Sequence, residues 1–255
     1  NIKDPKVRLH EPTFGAEEIS AFTEQLISTD VTMGKKVIDF EKKYCELMDF
    51  KFGVSNNSGS SANLLMLAAI SNKDYYKRLN PGDEIIIPSL TWSTSVWPIV
   101  QYGMIPNFVD CDTSTLNLDT DLIIKAINSK TKAIMAVSIY GNPCNFDVLQ
   151  DICKKYNLLL IEDSCESMGA KYRNKFVGSF GLISSFSFYF SHHITTLEGG
   201  MCVTKSEELA ELMTIIRAHG WIRQIKNKKK YIEKFPDFDP KFLFVNEGYN
   251  LRITE

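Results

Sequence analysis

Three short stretches of the sequence carry side chains that could bind a small ligand. Gly59 and Ser60 open an apolar segment, and N–H groups at the start of a helix there would favour a phosphate, although a serine-rich start can be only a helix cap. Trp92 follows an apolar run, so its indole could stack on a flat ring or pack in the core. Asp163 ends another apolar run, where a carboxylate needs a partner or caps the next turn.

A fourth stretch, around the pair His192-His193, could move protons. Imidazole titrates near neutrality and can act as a base and then as an acid. On a strand, two adjacent histidines would face opposite ways, and neither has a carboxylate or cysteine at ligand spacing. The six cysteines form no C-x-C or C-x-x-C pair, so the spacings of zinc and iron–sulfur sites are missing. We therefore predict no metal site.

Helix and strand patterns alternate along the chain and must position these side chains. Apolar residues at helical spacing predict helices over 15–26, 35–47, 63–70, 93–101, 119–127, 146–156 and 206–219. Short apolar or alternating runs predict strands over 83–88, 107–109, 133–137, 158–161, 184–190 and 201–204. This alternation predicts an α/β layer fold with a mostly parallel sheet. Ligands bind beyond the carboxyl ends of such strands, where Asp163 and Ser187 are expected.

The composition argues against several classes of partner. With 255 residues, 44% of them hydrophobic and 24% charged, the chain is long enough for one large soluble domain. A net charge of −2 argues against nucleic acid or an anionic membrane as partner, and no apolar run approaches the roughly 18–20 residues of a membrane span. Scattered, unpaired cysteines favour a cytoplasmic location. Residues 226–245 are poorly patterned and are expected to form a mobile loop, whose lysines are solvated or attract a phosphorylated substrate.

The order of these stretches resembles the family of sugar aminotransferases and dehydratases, which are fold type I enzymes that use pyridoxal phosphate. In that family a serine precedes by five positions the lysine that binds the cofactor covalently, and a Thr-x-Glu-Gly-Gly run follows. Here Ser187 and residues 196–200 match, but His192 stands at the lysine position. The resemblance covers essentially the whole chain and includes the segments Gly82-Asp-Glu-Ile-Ile-Ile-Pro88, Tyr140-Gly-Asn-Pro143, 178–181, Arg217-Ala-His-Gly220 and Gly248-Tyr-Asn-Leu-Arg252.

The resemblance implies a three-layer α/β/α fold and one domain. Residues 1–255 would form the large, cofactor-binding domain with its N-terminal segment, and the small C-terminal domain would be missing from this sequence. The sequence lacks an initiator Met and stops where a helix is expected to begin near 248–255, so we expect a fragment. A homodimer with shared active sites is also implied, because Asn250 matches the position from which family members reach the partner's cofactor.

The resemblance also assigns ligands and roles to individual residues. Pyridoxal or pyridoxamine phosphate would bind noncovalently, because the lysine is absent. Its contacts would be Gly59, Ser60, Trp92, Asp163, Glu166, Ser187 and Asn250. The substrate or the glutamate carboxylate would be bound by His219, Arg223 and Arg252, although each arginine could instead form a surface salt bridge.

The exchange of lysine for His192 points to dehydration instead of transamination. Enzymes with this exchange are 3-dehydratases of deoxysugar and O-antigen pathways. They remove the C3 hydroxyl of a nucleotide-linked 4-keto-6-deoxy sugar with L-glutamate as amino donor, and His192 would be the acid–base. Two alternatives stay open, namely an aminotransferase with an unusual base and a noncatalytic family member. The nucleotide is GDP or CDP, and GDP is favoured by likeness to a GDP-sugar member of the family. The CDP-sugar relative holds an iron–sulfur cluster on closely spaced cysteines, and this sequence has no such pair.

Overall fold

The computed structural model describes residue 11 and residues 14–255, and it contains one large sheet with helices on both faces. The strands are β1 (Phe52–Asn56), β2 (Glu84–Pro88), β3 (Ile105–Val109), β4 (Thr131–Val137), β5 (Leu159–Asp163), β6 (Lys171–Tyr172), β7 (Lys175–Phe176), β8 (Ile183–Ser187) and β9 (Gly200–Thr204). Strands β6 and β7 pair separately, and the others form a seven-stranded sheet in the order β1-β9-β8-β5-β4-β2-β3. Neighbours from β8 to β3 are parallel, whereas β9 is antiparallel to both β8 and β1. The prediction of a mostly parallel sheet is confirmed.

The described part of the chain also contains eight α-helices. They are α1 (Ala16–Ser28), α2 (Lys35–Leu47), α3 (Gly59–Ile70), α4 (Ser93–Gln101), α5 (Thr120–Ala126), α6 (Phe146–Tyr156), α7 (Glu207–Ile216) and α8 (Lys229–Lys234). The predicted ends of α2, α4 and α6 agree with the structure. None of the described helices is both long and apolar enough to cross a lipid bilayer.

The two faces of the sheet are covered by different helices. Alternate residues of a strand point to opposite faces, so Ile85 and Ile87 pack in one cluster with apolar residues of α3, α4 and α7. Ile86, between them, packs in a second cluster with residues of α5 and α6. This alternation gives the three-layer α/β/α arrangement that the family resemblance implies.

Helix α3 begins where its serine-rich opening indicates, whereas α7 ends earlier than predicted. The Ser58 hydroxyl accepts the N–H of Ser61, so α3 begins at Gly59, ahead of the apolar run over 63–70. Helix α7 ends at Ile216, before the predicted residue 219, because the backbone turns left-handed at His219 and Gly220 (φ 64° and 84°).

Several predictions of local structure are wrong. The strand predicted over 184–190 ends at Ser187, so His192 and His193 lie in a loop and not on a strand. Strand β1 was not predicted, because its run is short and contains Gly53. Residues 248–255 contain no helix; they run extended and form isolated bridges to residues 218 and 32.

The segment 226–245, predicted as a mobile loop, is partly ordered by packing. It contains α8 and a 3₁₀ turn over Pro240–Phe242. Leu243 is buried in a cluster with Ile222 and Ile225, and Tyr231 of α8 packs against that cluster. The N-terminal residues 1–10, 12 and 13, which we assigned to the domain, lie outside the described residues.

Two acidic residues, the buried Glu162 and the half-buried Glu41, hold neighbouring segments of the chain in place. The Glu41 carboxylate of α2 accepts a hydrogen bond from the buried Arg217 guanidinium (2.6 Å), which also donates to the carbonyl of Ser55. Glu162 of β5 accepts the N–H groups of residues 178, 180 and 181. Burial raises the pKa of Glu162 to about 7, although these three N–H groups act in the opposite direction.

Candidate active site

Asp163 and Ser187 lie together at the carboxyl edge of the sheet. They end the parallel neighbours β5 and β8, and Asp163 pairs in register with Ser185. Only 5% of Asp163 and 6% of Ser187 is exposed. The structure therefore places both residues where the sequence predicts a ligand.

The Asp163 carboxylate has neutral donors and no cation. Its Oδ2 accepts hydrogen bonds from Asn63 Nδ2 (2.8 Å) and Ser95 Oγ (2.7 Å). Its Oδ1 accepts longer ones, from the N–H of Cys165 (3.2 Å) and the hydroxyl of Ser185 (3.4 Å). The bond from Cys165 is the local cap that was the alternative role for Asp163. No lysine or arginine within the described residues forms a salt bridge with it, so its negative charge is unbalanced.

The N-terminus of α3 forms a cup against Ser187. A Cβ on Gly59 would lie 2.5 Å from Ser187 Cβ and 2.8 Å from Ser187 Oγ, so only glycine lets the helix approach β8 this closely. Ser58 caps the helix, and Ser60 lies exposed in its first turn. Free N–H groups at this end of a helix favour an anion.

His192 lies half-buried in the loop that follows β8. The backbone N–H of His192 donates to the carbonyl of Tyr189 (2.9 Å). Burial lowers the pKa of His192 below 6.5, and the positive charge of His193 lowers it further, whereas Glu166 and Asp163 act in the opposite direction. The lowered pKa favours the neutral imidazole, which is the form that can accept a proton. His193 is exposed, and no contact within the described residues assigns it a role.

Glu166 and Trp92 border the same edge. The Glu166 carboxylate accepts the backbone N–H of Tyr140 (2.7 Å), a residue with left-handed backbone (φ 52°). Trp92 is the N-cap residue of α4, and 70% of its surface is exposed. Core packing, the alternative role for Trp92, is therefore wrong, and the indole is free to stack on a ligand.

Asn250 and Arg252 contact each other on the extended C-terminal segment. Arg252 Nε donates to Asn250 Oδ1 (3.0 Å), and the guanidinium also contacts Met33 Sδ (3.1 Å). Asn250 is exposed and bridges Ala218 through its backbone. Neither side chain hydrogen-bonds to Asp163 or its partners within the described residues, so the structure does not join this pair to the carboxylate.

Arg223 and His219 form no hydrogen bond to Asp163 or its partners within the described residues. The exposed Arg223 guanidinium lies 5.0 Å from the centre of the Trp221 ring, and it forms no salt bridge within the described residues. His219 is exposed, and its backbone N–H donates to the carbonyl of Tyr249 (2.8 Å). The alternative of surface salt bridges is thus not supported for Arg223 or for Arg252.

Comparison with known proteins identifies the family. Residues 12–255 match the DegT/DnrJ/EryC1/StrS aminotransferase family. The chain belongs to that family. It is 43% identical over 251 residues to the GDP-4-keto-6-deoxy-D-mannose 3-dehydratase of Yersinia pseudotuberculosis, covering 97% of this chain and 63% of the relative. The chain therefore spans a little under two thirds of the length of this curated relative.

Solved structures of DegT/DnrJ/EryC1/StrS proteins agree with this assignment. One is a histidine-to-asparagine variant of GDP-4-keto-6-deoxymannose 3-dehydratase with bound GDP-perosamine, at a TM-score of 0.91 and 42% identity over 96% of this chain and 64% of that one. Another is the same kind of enzyme with a trapped PLP-glutamate geminal diamine, at a TM-score of 0.88 and 40% identity over 98% of this chain and 65% of that one.

The site of this family member fits pyridoxal phosphate. The close approach at Gly59 brings the N–H groups of the α3 N-terminus beside Ser187, and such donors suit a phosphate. The unbalanced carboxylate of Asp163 suits a protonated ring nitrogen. The loop over residues 188–199 contains no lysine. Among the described residues, no cluster of three or more His, Cys, Asp or Glu side chains could hold a metal ion, and all six cysteines are free.

Two residues that donate hydrogen bonds to the Asp163 carboxylate, Asn63 and Ser95, are not among the predicted site residues. Asn63 is the one polar residue in the otherwise apolar run over 62–70, and such a residue inside a buried helix needs hydrogen-bond partners. That signal could have identified it. Ser95 gave no comparable signal, because serine is common in the first turn of a helix.

Proposed function

We propose that this chain is the cofactor-binding part of a nucleotide-sugar 3-dehydratase that acts on GDP-4-keto-6-deoxymannose. The observation that carries this proposal is His192. The imidazole is half-buried, burial lowers its pKa, and the loop that holds it has no lysine. The 43% identity to a GDP-4-keto-6-deoxy-D-mannose 3-dehydratase supports the same substrate and a role in making deoxysugars of the O-antigen kind.

The residues at the carboxyl edge of the sheet would hold pyridoxal or pyridoxamine phosphate without a covalent bond. The helix N–H groups at Gly59 and Ser60, together with Ser187, would hold the phosphate, and Asp163 would hold the ring nitrogen. Trp92 would flank the ring. When bound, this cofactor supplies an electron sink next to the reacting carbon of the sugar.

His192 would move the protons of the reaction. Its neutral imidazole would accept a proton and then return one to the C3 hydroxyl oxygen, so that this oxygen leaves as water. L-Glutamate would supply the amino group and the two electrons by which the C3–O bond of the sugar becomes a C3–H bond. Its carbon skeleton would be released as 2-oxoglutarate and its nitrogen as ammonia. Glu166 would limit the positions of the loop over residues 139–141 through its bond to Tyr140.

The other predicted contacts would be completed by a second subunit. Asn250 and Arg252 are solvent-accessible and held in a fixed relation by their own hydrogen bond. We propose that they, with Arg223 and His219, face the active site of the partner in a homodimer and bind cofactor phosphate, glutamate or the diphosphate. Six free cysteines support a cytoplasmic location.

Product analysis tests this function. The purified protein is incubated with pyridoxal phosphate, L-glutamate and GDP-4-keto-6-deoxymannose, and in parallel with the CDP-linked sugar. We expect a GDP-linked 3-deoxy sugar, with one ammonia and one 2-oxoglutarate for each sugar consumed. An amino sugar without ammonia release would establish the aminotransferase alternative. Failure to bind either form of the cofactor would favour a noncatalytic protein.

A second experiment tests the noncovalent site. After treatment with borohydride, mass spectrometry of the protein with pyridoxal phosphate should show the unmodified mass. His192→Lys should instead retain the cofactor covalently and lose dehydration. Covalent labelling of the unsubstituted protein would show that another amine takes the place of the missing lysine.

A further inference from the structure

Asn63 is a buried residue whose side-chain amide uses both its N–H donor and its carbonyl acceptor in hydrogen bonds. Only 1% of the residue is exposed, and it lies in the apolar part of α3. Asn63 Nδ2 donates to Asp163 Oδ2 (2.8 Å), and Asn63 Oδ1 accepts from the hydroxyl of Ser185 (2.7 Å). The side chain therefore links α3 to the ends of both β5 and β8. A rotated amide would bring its carbonyl oxygen against the carboxylate, so the amide orientation is fixed by its partners.

Ser95 binds the same carboxylate oxygen from another element. Its hydroxyl donates to Asp163 Oδ2 (2.7 Å) and is fully buried in the first turn of α4. The hydroxyl of Thr91 in turn donates to Ser95 Oγ (3.0 Å), which leaves the Ser95 proton for Asp163. This chain of bonds ties Asp163 to the helix that begins next to Trp92.

The two oxygens of Asp163 are consequently unequal. Two short bonds from side chains occupy Oδ2, whereas the hydrogen bonds that Oδ1 accepts from the Cys165 N–H and the Ser185 hydroxyl within the described residues are longer, at 3.2 Å and 3.4 Å. A carboxylate oxygen with such long contacts keeps the capacity for a strong, charge-assisted hydrogen bond. The arrangement leaves Oδ1 for a ligand and prevents rotation of the carboxylate.

We propose that Asn63 and Ser95 are positioning residues that hold Asp163 so that Oδ1 meets the ring nitrogen of the cofactor. The inference rests on the proposed function only in that it needs pyridoxal phosphate as the ligand. Neither residue touches the ligand. Each acts through Asp163, and its loss weakens the contact to the ring nitrogen while the phosphate cup at Gly59 remains.

A ligand without the ring nitrogen distinguishes this role from a general structural one. Binding of pyridoxal phosphate and of its 1-deaza analogue, in which carbon replaces that nitrogen, is measured by fluorescence for the unsubstituted protein, Asn63→Leu and Ser95→Ala. We expect each substitution to weaken binding of pyridoxal phosphate by about tenfold to a hundredfold, the usual effect of removing a hydrogen bond to a charged group. Binding of the deaza analogue should change less than about threefold.

Two controls complete the experiment. Asn107 lies in the edge strand β3, and its half-buried amide donates hydrogen bonds to the Glu84 carboxylate and the Ala126 carbonyl. Asn107→Leu removes these bonds and should leave the ratio of the two affinities unchanged. In an Asp163→Asn background, Asn63→Leu should have little further effect on either ligand.

The outcomes separate this inference from the proposed function. Equal losses of affinity for both ligands in Asn63→Leu and Ser95→Ala would overturn the positioning role. If Asn63→Leu does not fold, the result for Ser95→Ala alone tests that role. Protein that binds pyridoxal phosphate as expected but releases no 3-deoxy sugar would refute the dehydratase while supporting the roles of Asn63 and Ser95. Protein that discriminates neither ligand before substitution would overturn both.

Discussion

The close contact between α3 and β8 makes Gly59→Ala a sharp test of the phosphate cup. The new methyl group would lie 2.5 Å from Ser187 Cβ, 2.8 Å from Ser187 Oγ and 3.2 Å from Cys165 Sγ. The first two distances are shorter than carbon and oxygen atoms tolerate, so the helix must move away from the strand. Such overpacking costs about 1–3 kcal/mol, and the better helix propensity of alanine returns at most about 1 kcal/mol. We expect a net loss of about 1–2 kcal/mol in the free energy of unfolding.

Urea unfolding followed by circular dichroism measures this loss, and a double-mutant cycle locates it. Ser187→Gly removes the atoms that the new methyl group meets, so the pair should show a coupling of about 1–2 kcal/mol. Gly15→Ala is the matched control, because a Cβ there meets only Glu18 Oε2 at 3.8 Å; we expect a change within about 0.5 kcal/mol.

Ligand binding adds an independent measurement for the same variant. Displacement of the α3 N-terminus should reduce the affinity for pyridoxal phosphate more than the affinity for pyridoxal, which lacks the phosphate. If Gly59→Ala is as stable as the unsubstituted protein and shows no coupling to Ser187, the close approach of helix and strand is not what this glycine provides.

Three further predictions follow from buried or interacting charges. His193→Asn should raise the pKa of His192, because the neighbouring positive charge lowers it; NMR titration of the imidazole checks this. Folding raises the pKa of Glu162 from 4.5 to about 7, so the folded state binds the proton of this carboxyl more tightly than the unfolded state. The resulting stabilisation of roughly 3 kcal/mol is complete below pH 4.5 and is lost as the pH rises through 7. Urea unfolding against pH should show that loss, and Glu162→Gln should abolish it. Arg217→Met leaves Glu41 without its cation and should destabilise the fold by about 3–5 kcal/mol, again by urea unfolding.

Each of these predictions has its own control. His219→Asn, an exposed histidine on another segment, should not change the pKa of His192. Arg173→Met removes an exposed ion pair with Asp147 and should cost at most about 1 kcal/mol. A loss for Arg217→Met no larger than that for Arg173→Met would show that burial of the pair adds nothing. A pH dependence that persists in Glu162→Gln would assign it to other groups.

Sequence patterns predicted the layers of the fold better than the details of the site. Apolar periodicity is strong where a helix or strand buries one face, so α2, α4 and α6 were predicted with their observed ends. The pattern failed over 184–190, because aromatic residues continue beyond Ser187 after the pairing with β9 has ended. The length of a strand depends on the neighbour with which it pairs, and a local pattern does not show where that pairing stops.

The candidate site shows the same division. Asp163 was predictable because it ends an apolar strand in a parallel sheet, whose carboxyl ends meet. Ser187 lay within the strand predicted over 184–190, and its five-residue spacing from His192 in the family resemblance identified it. The partners of Asp163 were not, since Asn63 and Ser95 are distant from it in sequence and reach it only through the packing of α3 and α4 on the sheet. Likewise, sequence showed the glycine at residue 59 but not the contact with Ser187 that requires it.

The antiparallel pairing of β1 with β9 has a consequence for how the protein folds. The two strands are separated by roughly 150 residues, and closing so long a loop is entropically costly and slow. Gly59 follows β1 closely and Ser187 precedes β9, so the cup between them is complete only after this distant pairing has formed. During synthesis, a chain that ends before Gly200 has most of the parallel sheet but not the finished cup. We therefore expect phosphate binding to appear late in refolding, after most of the helical signal has returned.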